Sequence, residues 1–382
     1  MIASQRYQFS IPDDVHYLNC AYMSPLSKRA EAAGMAGLQS KTAPWKIDVE
    51  QFYGPSEELR RLADRLVNAP ADQIAVTPAV SYGIAIATNA MTLRTGQNVV
   101  VPAEEFPSVV YGWRERCRVA GGSMRTVARP AKVDGQGAAW NERLLDAIDA
   151  ETGVVALTAA HWTDGTLFDL IAIGARAREV GAVFIVDGTQ SVGALPFDFT
   201  QVRPDLLVCA GYKWLMEPYS LGITVVGERF LDAMPFEHNW ITRQGSADFA
   251  NLVHYQDEYQ PGARRFDMGE RSNFILTPIL NTALEQVLEW TPAVVQAYCA
   301  ALGQQLESLL DGSPYRINAA SERASHLFGI RNLDPSATPR IQQALQRRNV
   351  HVSLRGDAVR VSPHLYNTET DIEALAEALL TA

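Results

Sequence analysis

Cysteine is scarce in this sequence, and no two of its cysteines form a C-x-x-C pair. The four lie far apart, at Cys20, Cys117, Cys209 and Cys299. Wide spacing of this kind argues against a structural zinc site and against a disulfide framework, and it is typical of a reducing compartment. We therefore expect each cysteine to be a small buried apolar residue. We expect no metal site.

Long apolar runs and an excess of positive charge are also missing. No stretch approaches the roughly 20 apolar residues that cross a bilayer, and the first residues lack the basic-then-apolar pattern of a secretory signal. Asp and Glu number 43 against 33 Lys and Arg, a net charge of −10. Such a surface does not attract nucleic acid or an anionic membrane. We expect a cytoplasmic protein that binds neither, and an anionic substrate would need a locally placed cation.

Two glycine-rich nucleotide motifs are absent as well. Neither G-x-G-x-x-G nor G-x-x-x-x-G-K-[ST] occurs, so the dinucleotide and P-loop interpretations lose their main support. A dinucleotide-binding oxidoreductase stays only as a remote alternative. The length of 382 residues suits a large domain with a smaller one, and 47% hydrophobic with 20% charged residues is ordinary for a globular protein.

The first two thirds of the chain alternate short apolar runs with helical patterns. The candidate strands are 74–77, 99–101, 154–158, 183–186, 206–209 and 223–226, and the clearest helices between them are 84–91 and 170–180. Because the strands read as continuous apolar runs, a mostly parallel sheet covered on both faces is predicted. The fold class is therefore α/β, open and doubly wound.

The pattern of strands and helices changes after about residue 255. Helices are predicted at 278–289, 292–310 and 369–380, and strands at 327–331, 350–353 and 358–361, which together favour a smaller α+β domain. We predict a large domain over 16–255 and a small C-terminal domain over 256–382, with residues 1–15 packing on the small domain. Residues 239–265, richer in polar and aromatic side chains, are expected to run over the surface.

Chemistry-bearing residues follow the strands of the predicted sheet, where ligands of such sheets bind. Ser81 begins a helix after one strand, as in a phosphate site. Phe106 follows the next strand. Asp187 ends an apolar strand, and Lys213 lies among aromatic residues after another. Three of these residues have simpler explanations: Ser81 or Asp187 as a helix cap, and Lys213 as a surface lysine.

Taken together, these four residues match the features of one cofactor. Pyridoxal 5'-phosphate (PLP) has a phosphate, an aldehyde that Lys213 could bind, a flat ring for Phe106 and a ring nitrogen whose cationic form suits Asp187. A lysine in apolar surroundings can have a lowered pKa and trap carbonyl groups. The residues therefore predict a PLP enzyme.

Four stretches of the chain resemble the class V aminotransferase family of fold-type I PLP enzymes, which includes cysteine desulfurases, kynureninase and isopenicillin N epimerase. They are V-D-G-T-Q-S-V-G at 186–193, G-Y-K-W-L at 211–215, R-V-S-P-H-L-Y-N-T-E at 360–369 and Y-L-N at 17–19. The likeness spans almost the whole chain. It implies a large PLP-binding domain, a smaller C-terminal domain and a homodimer with active sites at the interface.

The resemblance also implies roles for single residues. Lys213 would form an aldimine with the cofactor and move the Cα proton, and Asp187 would pair with the pyridinium nitrogen. Gln190 would hydrogen-bond the phenolic oxygen. Phe106 would stack on the ring.

Further contacts to the phosphate and the substrate follow from the same resemblance. Ser81 and Tyr212 would hold the phosphate, and Ser272, in G-E-R-S-N at 269–273, would reach the phosphate of a second subunit. Arg360 would clamp the substrate carboxylate, with Asn19 and His161 nearby. For His161, packing is favoured over proton transfer.

One departure from the family narrows the chemistry. Cysteine desulfurases carry a nucleophilic cysteine shortly before the carboxylate-binding arginine, and here S-L-R-G-D-A at 353–358 has none. Persulfide formation by that route is not expected. We expect amino-group transfer from an amino acid, with epimerisation like that of isopenicillin N epimerase or C–S or C–C bond cleavage as alternatives. A non-catalytic PLP-fold protein is disfavoured because Lys213 and Asp187 are both present.

Overall fold

A computed structural model describes residues 2–131 and 135–382 of the chain. In this described part the strands are β1 (His16–Tyr17), β2 (Ile74–Thr77), β3 (Asn98–Pro102), β4 (Ser123–Val127), β5 (Thr152–Thr158), β6 (Val183–Asp187), β7 (Leu206–Ala210), β8 (Gly222–Val226), β9 (Tyr315–Ile317), β10 (Phe328–Asn332), β11 (Val350–His351), β12 (Ser353–Arg355) and β13 (Ala358–Val361). The α-helices are α1 (Lys28–Ser40), α2 (Val49–Val67), α3 (Val80–Ala90), α4 (Pro107–Ala120), α5 (Gln136–Ala147), α6 (Leu170–Glu179), α7 (Phe199–Val202), α8 (Leu276–Trp290), α9 (Pro292–Leu309), α10 (Thr338–Arg347) and α11 (Glu369–Leu380).

The central element is a seven-stranded sheet in the order β2-β8-β7-β6-β5-β3-β4. Strands β4, β3, β5, β6 and β7 run parallel, while β8 is antiparallel to both of its neighbours. The six predicted strands are confirmed, and so is the α/β fold class. Strand β4 escaped prediction because it lies at an edge and only Val127 of its residues is buried, so it lacks the apolar run of a central strand.

Both faces of the sheet are covered by helices, as expected for a doubly wound fold. Side chains alternate between the faces along each strand. Val155 and Leu157 of β5 pack with residues of α2, α5, α6 and α8, whereas Val154 and Ala156 pack with residues of α3 and α4. The sheet therefore has two apolar cores, which fix the positions of the strand ends.

A second, antiparallel sheet has the order β12-β13-β10-β9 and packs with α9, α10 and α11. The single strand predicted at 350–353 is in fact two: β11 pairs with β1, and β12 pairs with β13. Near the N-terminus, Gln5 donates its backbone N–H to Leu365 O at 2.7 Å. Arg6 forms an ion pair with Asp371 at 3.4 Å. The domain boundaries at residues 15/16 and 255/256 stay predictions.

Two further expectations are met by the described residues. All four cysteines are buried and none forms a disulfide. Residues 239–265 contain only short 3-10 turns in place of helices or strands, and their largest apolar side chains include Val253 and Tyr255, which are 73% and 96% exposed. No helix among residues 2–131 and 135–382 has the length and apolar character needed to cross a membrane.

The close approach of α3 to the sheet depends on Gly83. A Cβ added there would lie 2.5 Å from Val208 Cγ1 of β7 and 2.6 Å from Thr224 Oγ1 of β8. Both contacts are too short for carbon, so only glycine lets the helix lie this close. The start of α3 is thereby held next to the ends of the central strands.

We expect Gly83→Ala to lower the free energy of unfolding by about 1–3 kcal/mol, because the added methyl group overpacks the contact between α3 and the sheet. Urea denaturation would measure the change. Gly303→Ala in α9 is the matched control: its nearest neighbour, Arg323 Nη2, is 3.6 Å away, so the better helix propensity of alanine should raise stability by about 0.5–1 kcal/mol. A Gly83→Ala protein as stable as the control would contradict the packing argument.

Candidate active site

A small cavity lies at the carboxyl ends of the central strands, where β5, β6 and β7 stop. Its lining comes from the ends of these strands, from the loops that follow them and from the start of α3. The lining residues are Val80, Phe106, Thr158, Trp162, Asp187, Thr189, Gln190, Tyr212 and Lys213. The structure thus brings together five residues that the sequence analysis singled out: Phe106, Asp187, Gln190, Tyr212 and Lys213.

Lys213 follows β7 and is only 6% exposed. Its Nζ lies 5.5 Å from the ring centre of Phe106 and 5.3 Å from that of Tyr212. Burial lowers the pKa of the Lys213 amine to about 8, and Arg360 adds to this effect while Asp187 opposes it. A substantial share of the amine is therefore neutral near pH 8, the form that attacks carbonyl groups and accepts protons.

Asp187 is the last residue of β6 and is 2% exposed. One carboxylate oxygen accepts the backbone N–H of Thr189 at 2.9 Å. Burial raises the pKa of the Asp187 carboxyl, while Thr189 and the charge of Lys213 oppose the rise. No arginine, lysine or histidine of the described ranges forms an ion pair with it, so Asp187 can still receive a cation in the cavity.

Aromatic rings enclose the cavity. Phe106 immediately precedes α4, and its ring meets that of Trp162 edge-on at 5.6 Å. Tyr212 packs against Tyr219 with ring centres 4.5 Å apart. Flat apolar walls on both sides of an amine and a carboxylate fit a planar, polar ring.

Gln190 and Ser81 hold different positions at the cavity. The Gln190 amide accepts a hydrogen bond from Trp214 Nε1 at 3.0 Å and donates one to Ala21 O at 3.1 Å, which fixes its orientation. Ser81 is exposed in the first turn of α3, next to Val80 in the lining. No side chain caps α3, so the first N–H groups of this helix can receive an anion.

Arg360 lies beside the cavity on β13 and is 1% exposed. Its Nη1 donates to Trp162 O at 3.0 Å, and its Nη2 lies 3.5 Å from Ser353 Oγ. Its Nε is buried without a hydrogen-bond partner. Burial lowers the pKa of the Arg360 guanidinium to about 9, with Arg355 adding to the effect. Within the described part of the chain it forms no ion pair.

Asn19 reaches this arginine indirectly, because its Oδ1 accepts from Ser353 Oγ at 2.8 Å. Its proposed role as a substrate-binding residue is therefore consistent with its place beside Ser353.

His161 and Ser272 do not line the cavity. His161 is fully buried, with its Nδ1 2.8 Å from Thr163 Oγ1 and its Nε2 3.2 Å from Ala103 O. Burial lowers the pKa of its ring to about 4, so it is neutral. These contacts favour packing, and a role in substrate binding stays a prediction. Ser272 donates to Phe52 O and lines a separate surface cavity, so its role toward a second subunit also stays a prediction.

Residues outside the predicted set hold the cavity in shape. Glu105 is buried, and its two oxygens accept the backbone N–H groups of Phe106 at 2.6 Å and Thr158 at 2.8 Å, joining β5 to α4. Burial raises the pKa of Glu105 to about 8. The sequence predicts a role for the neighbouring Phe106, but no pattern in the sequence predicts one for Glu105.

The loop that carries Trp162 is fastened by Asp164. This buried carboxylate forms ion pairs with Arg129 and, at 2.7 Å, with Arg331 of β10. Burial alone would raise the pKa of Asp164, but the two arginines and His161 hold it below its usual range. The pairing depends on contacts between distant segments, so no local pattern could have revealed it.

Glu217, on the loop after Lys213, is a buried carboxyl whose two oxygens have no hydrogen-bond partner. Burial raises its pKa well above the usual value. The same loop contains Met216 and Ser220 at φ values of 57° and 90°, a conformation that costs about 1–3 kcal/mol for each such residue. The surrounding structure therefore holds this loop in a backbone conformation that its residues do not favour.

Comparisons with known proteins show which family the sequence matches. The family model for class-V aminotransferases matches residues 48–375. An uncharacterized aminotransferase, YcbU, of Bacillus subtilis is 25% identical over 87% of this chain and 84% of its own length. A probable cysteine desulfurase of Methanothermobacter thermautotrophicus is 26% identical over 85% of this chain and 82% of its own.

Solved structures share the fold. The cysteine desulfurase CsdA of Escherichia coli superposes with a TM-score of 0.81 at 18% identity, covering 98% of this chain and 96% of its own. A cystine C-S lyase, C-DES, in complex with cysteine persulfide gives 0.84 at 20% identity, covering 96% and 97%. In the described ranges no group of three or more His, Cys, Asp or Glu side chains is arranged to hold a metal ion.

We expect the contribution of Glu217 to depend on pH. Because its pKa is raised in the folded state, the unfolded state loses its proton first, and stability falls as the pH rises above the unfolded value. Glu217→Gln, neutral at every pH, should therefore be more stable than the parent protein by an amount that grows from pH 5 to pH 8. Urea denaturation of the cofactor-free protein measures this.

The control for Glu217→Gln is Glu142→Gln, on the exposed side of α5, which should leave the pH profile unchanged. A stability difference for Glu217→Gln that stays constant over this pH range would show that the carboxyl is not buried in solution.

Proposed function

The chain belongs to the class-V aminotransferase family and is a PLP-dependent enzyme, and we propose from this premise that it breaks the Cα–H bond of an amino acid with Lys213 as the proton carrier. Amino-group transfer is the outcome we propose. The observation that carries the proposal is the cavity lined by a lysine amine of lowered pKa, by aromatic rings and by a carboxylate that has no ion-pair partner among the described residues.

The residues of the cavity fit PLP. When bound, PLP supplies an aldehyde that holds amines covalently and a ring that accepts the electrons released at Cα. Lys213 offers the amine, and Asp187 offers a buried negative charge for the ring nitrogen. The uncapped start of α3, with Ser81 in its first turn and Tyr212 close by, offers donors for the phosphate.

Each of these residues has a task that follows from its surroundings. Lys213 is close enough to the aromatic wall to hold the cofactor there and, with its pKa near 8, to take a proton from Cα and return it. Asp187, fixed by Thr189, would be held as a carboxylate by a cationic ring nitrogen, whose charge opposes the rise in pKa that burial causes. Gln190, oriented by Trp214, would hydrogen-bond the ring oxygen with its amide.

Arg360 is proposed to bind the substrate carboxylate. A buried guanidinium without an ion pair is costly, and a carboxylate held by its planar fork would offset that cost. Its hydrogen bond to Trp162 O places it at the edge of the cavity that contains Lys213. Bound there, the substrate would have its Cα close to the lysine.

We further propose that the enzyme acts as a homodimer. Ser272 lies at the surface beside Phe52 and Trp240, away from Lys213 of its own chain. It would serve the cofactor phosphate of the second subunit.

Bond cleavage in the side chain is the second candidate function. It is supported by relatives named as cysteine desulfurases. The four cysteines are all buried, however, and none lies in residues 353–358. Elimination without a cysteine nucleophile is therefore the form this candidate takes. Identifying the products from a panel of amino acids decides between the two, because amino-group transfer gives a 2-oxo acid with its side chain unchanged, whereas elimination releases the side-chain substituent.

The test of the site assignment is covalent trapping. After loading with PLP and treatment with borohydride, the cofactor should be fixed on Lys213, because its amine lines the cavity and has a pKa lowered to about 8. Peptide mass mapping reads the position clearly, since the sequence has five lysines. Lys46→Arg, at an exposed lysine, is the control and should give the same adduct. An adduct on another lysine would refute the assignment.

We expect Arg360→Lys to impair turnover of α-amino acids by tenfold or more in kcat/KM, because an ammonium group cannot hold both carboxylate oxygens in one orientation. Absorbance of the bound cofactor should not change. The comparison is with the matching amine that lacks the carboxylate. An equal loss for the amine would mean that Arg360 is structural.

A further inference from the structure

A second arginine, Arg355, lies on the same face of the same hairpin as Arg360. Strands β12 and β13 pair with Ser353 opposite Arg360 and Arg355 opposite Ala358. Residues directly opposite each other, and residues two apart along a strand, share a face of a sheet. Arg355, Ser353 and Arg360 therefore project from one side.

Both arginines contact the same residue of the cavity lining, Trp162. Arg360 donates to the Trp162 carbonyl at 3.0 Å, and the Arg355 guanidinium carbon lies 5.7 Å from the centre of the indole ring. Trp162 in turn borders the cavity that contains Lys213 and Asp187. Trp162 thus connects the two cations at the edge of the proposed substrate site, Arg360 through its carbonyl and Arg355 through its indole.

Neither cation has an acidic partner among the described residues. The Nε atoms of Arg355 and Arg360 are both buried and have no hydrogen-bond partner in that part of the chain. The hydrogen bonds of Arg355 within the described residues include one from its Nη1 to Leu354 O at 2.7 Å, and no carboxylate in the described ranges forms an ion pair with it. Asp357, on the same hairpin, pairs with Arg331 at 3.2 Å.

Several other buried or part-buried arginines of the described chain do pair with acidic residues. Arg60 pairs with Asp267, Arg129 and Arg331 pair with Asp164, and Arg323 pairs with Glu307. In a protein with a net charge of −10, two neighbouring arginines without an acidic partner repel each other, and anions bound from outside would relieve the repulsion.

We propose that Arg355 forms a second anion-binding site and that the substrate is an amino acid with an acidic group on its side chain. This inference rests on the proposed function of Arg360. Arg360 binds the α-carboxylate, Arg355 binds the side-chain acid, and the carbon chain between the two lies along the indole of Trp162. The acid can be a carboxylate or a sulfur or phosphorus oxyanion, since all three accept the donors of a guanidinium.

The first test measures binding without turnover. Malonate, succinate and glutarate, which span three chain lengths, are titrated into the PLP-loaded enzyme by calorimetry beside acetate, propionate and butyrate. We expect the best diacid to bind at least tenfold more tightly than the matching monoacid, the effect of one charge-assisted hydrogen bond. Arg355→Gln should reduce that ratio to about twofold or less, and Arg355→Lys should keep a part of it.

Arg347→Gln is the matched control, since it removes an exposed arginine of α10. It should leave the diacid preference unchanged, and circular dichroism checks that all variants fold. A parent enzyme without diacid preference, or an Arg355→Gln variant that keeps it, would overturn the proposal.

The second test separates this proposal from the proposed function. Exchange of the Cα proton is followed by NMR with aspartate against asparagine and with glutamate against glutamine. If the Cα proton exchanges on asparagine and glutamine and the enzyme shows no preference for diacids, the proposed function is supported and the second anion-binding site is refuted. Diacid preference that requires Arg355, without exchange on any amino acid, would sustain the site and refute the function. Preference of the parent enzyme for aspartate or glutamate by tenfold or more, lost in Arg355→Gln, supports both.

Discussion

Burial of charge without an ion pair is the constraint on which this structure depends. Asp187 and Arg360 are 2% and 1% exposed, they carry opposite signs, and neither forms an ion pair with a described residue. Placing such groups out of water costs several kcal/mol each, so the surrounding fold must hold them in place. Two apolar cores, one on each face of the seven-stranded sheet, provide the stability that offsets this cost. The same burial lowers the pKa of Lys213. Because Asp187 lines the cavity and Arg360 lies beside it, bound groups of complementary charge can form ion pairs with both residues.

The central sheet positions some site residues directly, whereas others depend on contacts between distant segments. Asp187 ends β6 and Lys213 lies three residues beyond β7, so the sheet alone places them at one edge. Trp162 and Arg360 depend on a contact between a loop of the large sheet and the hairpin of the small one. That contact is fastened by Asp164, which joins Arg129 to Arg331 of β10. The proposed substrate-binding edge, with Trp162 and Arg360, therefore depends on this ion-pair network for its geometry. The proposed cofactor-binding edge, with Asp187 and Lys213, depends on the sheet.

This difference explains how much the sequence could predict. The six strands of the large sheet and the fold class follow from apolar runs, and Phe106, Asp187 and Lys213 follow from their places after strands, which are local signals. The family, and with it the roles of Gln190 and Tyr212, follows from the resemblance of longer motifs. Glu105, Asp164, Ser353 and Arg355 could not be found in this way, since their importance comes from pairing across distant segments. His161 shows the opposite case: it belongs to a loop beside the cavity, yet its ring points into a packed cluster with Trp140, 5.0 Å away. Sequence position near a site does not decide the direction of a side chain.

The distribution of charge also limits which reactions the site can favour. Lys213 is the one buried amine among the described residues that line the cavity, and His161 is neutral and turned away, so in the proposed reaction a single base both takes and returns the proton at Cα. Epimerisation that delivers the proton to the opposite face would need a second acid, and the titratable group that the described lining offers besides Lys213 and Asp187 is the hydroxyl of Tyr212. Burial raises the pKa of that hydroxyl to about 12, which keeps it protonated but makes it a weak acid. A lone lysine that moves a proton along one face of the substrate suits transfer of the amino group better than inversion at Cα.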